Sequence, residues 1–132
     1  MRINMKYVIT ESRFEKTVMN YLDELFDVGN IHFHFPLEYD EETGEEYEDG
    51  NRVNYFIGDY DDGDNDIFKW YNCDYFNEGS HARTICPTVD IETKYVDILN
   101  GYFGDKWVEP FKKWFVKNFD DPVKTVEWWE HD

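Results

Sequence analysis

VNYFIGDY at residues 53–60 and IFKWYNCDYF at residues 67–76 are two runs dense in Tyr, Phe, Trp and Ile, joined through Asp61-Asp62-Gly63-Asp64-Asn65-Asp66. Aromatic and β-branched side chains fit a pleated, half-buried surface, and Asp, Asn and Gly favour turns. The pair therefore predicts two antiparallel strands. Upstream, Ile31-His32-Phe33-His34-Phe35 alternates, with its apolar residues on one face and both histidines on the other. Between these runs, residues 39–47 (YDEETGEEY) are acidic and symmetrical about Glu42, Thr43 and Gly44. A glycine at the third loop position suits a three-residue hairpin with a bulge. Asp49-Gly50 marks a further turn, so residues 31–76 predict an antiparallel meander.

Outward from the meander the period lengthens. Residues 6–10 (KYVIT) predict a short opening strand, and Ser12 with Glu15 reads as a capping box. Phe14, Val18, Tyr21, Leu22, Leu25 and Phe26 then recur at helical spacing, giving a helix over 13–27. On the other side, Tyr95, Ile98, Leu99, Tyr102 and Phe103 predict a helix over 92–103, closed by Gly104. Asp105 can cap another helix carrying Trp107, Phe111, Trp114, Phe115 and Asn118 on one side, which begins or kinks at Pro110. Asp121-Pro122 breaks the chain, and residues 123–129 (VKTVEWW) predict a last strand. Val126 and Trp128 share one face of it and Val123, Thr125 and Trp129 the other, with Trp128 assigned to the core. The expected fold is a single α+β domain over residues 1–132, an antiparallel meander sheet packed on one face by about three helices.

The chain has 132 residues with 30 Asp plus Glu against 13 Lys plus Arg, a formal net charge of −17. Phosphate recognition relies on Lys and Arg displacing counterions, so direct nucleic-acid binding is not expected, nor is an anionic membrane surface. An aromatic content of 20% opposes the disorder that such acidity otherwise implies. Apolar runs are no longer than three residues, which predicts neither a membrane span nor a secretory signal. The expected setting is cytoplasmic, of the host cell if the protein is viral, and Cys73 and Cys86 are read there as reduced thiols.

The charge is concentrated. Residues 38–66 hold 13 acidic residues and one base, Arg52, and so account for 12 of the 17 net negative charges. A solvated acidic tip that blocks edge-to-edge sheet pairing is one explanation. A docking surface for a basic protein is another, with carboxylates raising the encounter rate and tyrosines supplying contact area. The candidate partner-binding residues are Glu45, Glu46, Glu48, Asp61, Asp62, Asp64, Tyr47 and Tyr60. A special case is mimicry of DNA or RNA, because alternate strand residues lie about 6.6 Å apart and can repeat charge as phosphates do. The partner would then itself be a nucleic-acid-binding protein.

Metal and catalytic signatures fail in specific ways. Asp62, Asp64 and Asp66 have the spacing of the first EF-hand ligands, but Ile67 replaces the turn glycine and Cys73 the bidentate glutamate. A weak divalent site there is the residual alternative. Cys73, His81 and Cys86 lack paired C-x-x-C spacing, and His32 with His34 lack a third ligand. Gly-rich phosphate loops, G-x-S-x-G and H-E-x-x-H do not occur. No enzyme, cofactor or metal is expected.

Tyr7-Val8-Ile9-Thr10-Glu11-Ser12, Gly101-Tyr102-Phe103-Gly104, Phe111-Lys112-Lys113-Trp114-Phe115 and Pro122-Val123 together resemble small accessory proteins of tailed bacteriophages. The matching stretches cover about a third of the chain and exclude the acidic hairpins. The resemblance implies a viral origin and a role in binding a host or phage factor, with a structural virion component as the alternative. The reading from sequence is thus a non-enzymatic acidic protein that docks a basic partner through residues 38–66.

Overall fold

The computed structural model describes residues 2–48, 50–59, 65–72 and 86–130. It is an α+β fold in which a five-stranded, mostly antiparallel sheet carries helices on one face. The elements are α1 (Arg2–Leu25), β1 (Ile31–His34), β2 (Leu37–Tyr39), β3 (Glu46–Glu48), β4 (Arg52–Ile57), β5 (Asp66–Tyr71), β6 (Thr88–Glu92), α2 (Thr93–Phe103), α3 (Val108–Phe119) and β7 (Thr125–Trp129). Strand order in the large sheet is β1-β4-β5-β6-β7. Neighbours are antiparallel except β6 and β7, which run parallel. A parallel pair needs a long crossover, and α2 with α3 supplies it.

Register sorts the side chains. Phe33 lies opposite Tyr55, Tyr55 opposite Phe68, Val53 opposite Trp70, Trp70 opposite Val89, and Phe68 opposite Ile91. These residues share one face, and α1 with the turn after it, α2 and α3 cover it with Val18, Leu22, Phe26, Val96, Leu99, Phe111, Trp114 and Phe115. Phe68 is the hub, with ring centroids of Phe26 at 4.8 Å, Phe111 and Phe115 at 5.6 Å, and Trp114 at 6.0 Å. Buried indoles find acceptors: Trp70 donates to the Pro122 carbonyl, Trp107 to Asn100 Oδ1 and Trp114 to Asp23 Oδ1. Lys113 of α3 is paired with Glu15 of α1 at 2.9 Å.

Several expectations are corrected. Residues 6–10 are helical within α1, so Ser12 and Glu15 lie inside a helix and not at its cap. Extending an established helix adds one hydrogen bond per residue, whereas a five-residue strand needs a neighbour to pair with. Residues 31–76 are not one meander. The β2–β3 hairpin leaves the sheet between β1 and β4 and, among the described residues, pairs only within itself. Its loop spans four residues rather than three, Asp40 N–H donating to the Glu45 carbonyl and Gly44 N–H to the Asp40 carbonyl. The interior strand β6 has no clear signal in the sequence, because its five residues follow Pro87 and run directly into α2. Trp128 is 56% exposed, on a strand that pairs on one side only among the described residues. Cys86 is disulfide-bonded and not a reduced thiol. Thiol pairing depends on Cα separation, which sequence spacing does not give; Cys73 itself lies outside the described residues.

The second sheet face is polar. His34 Nε2 lies 3.7 Å from Asp66 Oδ1, and Asn54 Nδ2 donates to Asp66 Oδ2 at 3.1 Å. Lys69 Nζ stands 4.5 Å from the Trp129 ring centroid.

Candidate functional site

The β2–β3 hairpin is held by pairs Leu37–Glu48, Glu38–Tyr47 and Tyr39–Glu46. Its loop is fixed by its own side chains: Glu42 N–H donates to Asp40 Oδ1 at 2.9 Å, and Glu45 N–H to Thr43 Oγ1 at 3.3 Å. Gly44 has φ of 74°, the left-handed conformation that a glycine adopts without steric cost. Local turn chemistry thus shapes the tip of the arm.

Of the predicted contact residues, Glu45, Glu46 and Tyr47 are exposed on this arm. Glu48 is on β3, paired through its backbone with Leu37. Tyr60, Asp61, Asp62 and Asp64 lie outside the described residues, as does most of the loop considered for a divalent metal. Glu41 and Glu42 are exposed beside the predicted set, as are Leu37 and Tyr39 at 59% and 63%. Apolar and aromatic area therefore stands among carboxylates on one protruding ribbon. Asn65 Nδ2 bridges the carbonyls of Ile57 and Asp59, closing the start of the second acidic loop against β4.

At the base of the arm is a groove of about 540 Å³. Phe35, entering the hairpin, and Gly50, leaving it, both line this groove, so arm and groove share a rim. Its wall is aromatic: Phe33 lies 5.8 Å from Phe35 and 6.3 Å from Tyr55, and Tyr55 lies 4.7 Å from Phe119, measured between ring centroids. Trp70 lines it too, with Asn118 and Asp121 as polar members beside the Tyr55 hydroxyl. Phe33, on the edge strand β1, is 60% exposed on the face that the helices cover elsewhere. The Tyr55 hydroxyl donates to Asp121 Oδ2. Burial foremost, then the hydrogen bond and charge of Asp121, push the Tyr55 phenol well above its ordinary range. It stays a protonated donor that fixes the carboxylate at the groove.

Sequence reasoning missed this groove. Alternation placed Phe33 and Phe35 with Ile31 on an apolar face, but nothing in the spacing indicates that Phe33 is left exposed there. In sequence Asp121 reads only as part of the Asp121-Pro122 break. Among the described residues no cluster of three or more His, Cys, Asp or Glu is arranged to hold a metal, and no described helix is long and apolar enough to cross a membrane. Cys86, being disulfide-bonded, has no thiolate to offer a metal.

Set against known proteins, the chain matches no protein-family model, no curated protein and no solved structure. The class is therefore given by the fold alone, α+β, and the reading of function rests on the arm and groove.

Proposed function

We propose that the protein is a non-enzymatic docking protein that binds a basic protein through its acidic hairpins. The observation that carries the reading is the β2–β3 arm, a two-stranded ribbon outside the main sheet that presents Glu41, Glu42, Glu45 and Glu46 together with Leu37, Tyr39 and Tyr47. Such a ribbon combines a steering field with contact area, the two things a polar interface uses. A role as a phage-type accessory factor acting in the host cytoplasm is compatible with this activity. The disulfide at Cys86 weighs toward an oxidising setting instead, because reducing compartments keep thiols open.

The test begins with partner identification by affinity purification and continues with the purified pair. Changing Glu45, Glu46 and Glu48 to Gln and Asp61, Asp62 and Asp64 to Asn abolishes binding while the circular dichroism spectrum and melting transition stay unchanged. Undiminished binding by that variant at low salt would reduce the acidic surface to a solubility device. Mimicry is the narrower form of the proposal, and competition separates it: a mimic is displaced by DNA or RNA, whereas a partner that holds both at once excludes it.

A further inference from the structure

We infer that the groove beneath the arm receives an arginine side chain of the docked partner, with its aliphatic stem along the aromatic wall and its guanidinium, which stacks on rings and forks onto a carboxylate better than a lysine ammonium, at Asp121. The inference rests on the docking reading above and names the anchor that it uses.

Three observations select this occupant. The wall is a connected set of rings, from Phe35 through Phe33 and Tyr55 to Phe119, with Trp70 alongside. Rings of this kind attract cations through their faces and pack against methylene stems. Among the described residues, those lining the groove include one carboxylate, Asp121, and no lysine or arginine. A wholly apolar occupant would strip water from that carboxylate without replacing it, a net cost. An anionic occupant would meet both Asp121 and the acidic arm. Only a side chain that is apolar along its length and positive at its end satisfies wall, carboxylate and surroundings together. Tyr55 prepares the site, since its hydroxyl already holds one carboxylate oxygen and leaves the charge in place for the ligand. The volume of about 540 Å³ is within the range of sites that enclose small ligands.

The test uses the full chain and three blocked heptapeptides of sequence Lys-Lys-Gly-X-Gly-Lys-Lys, where X is arginine, citrulline or norleucine. Citrulline keeps the shape of arginine without its charge, and norleucine keeps a lysine-like stem alone. Affinity is read by calorimetry and location by the indole N–H resonance of Trp70 in nitrogen-15 spectra. The arginine peptide is expected to bind about fivefold or more tighter than either neutral peptide and to shift the Trp70 resonance. Asp121→Asn, which still accepts the Tyr55 hydroxyl, removes that preference. Phe33→Ala, at an exposed position, weakens it without altering the melting temperature. Glu45→Gln with Glu46→Gln weakens all three peptides equally. If the three peptides bind alike and the Asp121→Asn protein still treats them alike, the groove assignment is overturned while docking through the arm stands. Tighter binding of the norleucine peptide makes the groove an apolar pocket and also overturns it. Absence of binding by every peptide to the unaltered protein defeats the docking reading and the groove with it.

Discussion

Phe68 has no exposed surface and touches rings from the turn that follows α1, from α3 and from β4, so it joins layers that the chain makes far apart in sequence. Truncation to alanine removes contacts on several sides at once, and the surrounding rings cannot all collapse into the space. Phe68→Ala is expected to cost about 3–5 kcal/mol, measured as a lowered urea midpoint, and to cost more than Phe33→Ala at the exposed edge. Tyr55 gives a second expectation at this scale. Its folded pKa is raised above the ordinary value of 10.0, so the folded state holds the proton longer than the unfolded one. The stabilisation is complete below pH 10 and is lost as pH rises above it, at up to about 1.4 kcal/mol per pH unit for one group. Tyr55→Phe should flatten this part of the stability profile between pH 10 and 12. A profile as steep in the variant as in the parent would place the alkaline loss elsewhere.

At the scale of elements, termination is written in single residues. Gly104 ends α2 with φ 64° and ψ −151°, its N–H donating to the Asn100 carbonyl. That conformation is close to glycine-only, so Gly104→Ala is expected to destabilise by about 1–3 kcal/mol in denaturant titration although open space surrounds the position. The same glycine was legible in sequence as the stop of a helix, as were α2 itself, the aromatic strands β4 and β5, and Gly44 at a left-handed loop position. What was not legible depended on tertiary choice. KYVIT has the composition of a strand, but without a neighbour to pair with it continues the helix. The second hairpin has strand periodicity but no buried face, so pattern alone could not say that it leaves the sheet. Trp128 and Val126 share a face of β7, yet only tertiary packing decides which of them is covered. The groove was hidden for the same reason. Autonomy of the arm yields a further expectation: replacing residues 37–48 by a short Gly-Ser link preserves a cooperative melt and removes partner binding, whereas loss of cooperativity would show that the arm supports the sheet.

For the whole molecule, the decisive property is where charge lies relative to shape. The excess of 17 negative charges repels other copies of the chain, but residues 106–124 hold Lys106, Lys112, Lys113, Lys117 and Lys124, so α3 and its flanks oppose the acidic arm in sign. Lys112 and Lys113 are partly compensated by Glu109 and Glu15. Under the docking proposal such separation orients a basic partner before contact, turning its basic face toward the arm and away from the lysines of α3. Orientation of this kind acts on the approach, where exposed charges see one another through salt water, and much less on the closed complex, where groove and aromatic contacts dominate. The association rate constant should therefore fall by about tenfold or more from 0.05 to 0.5 M salt, while the dissociation rate changes little. Neutralising the arm should flatten the salt dependence of association, and Asp121→Asn should instead speed dissociation. Stopped-flow mixing with the purified partner measures both rates. A dissociation rate that carries most of the salt dependence would mean that the arm carboxylates form the closed interface itself, and that steering is not their main role.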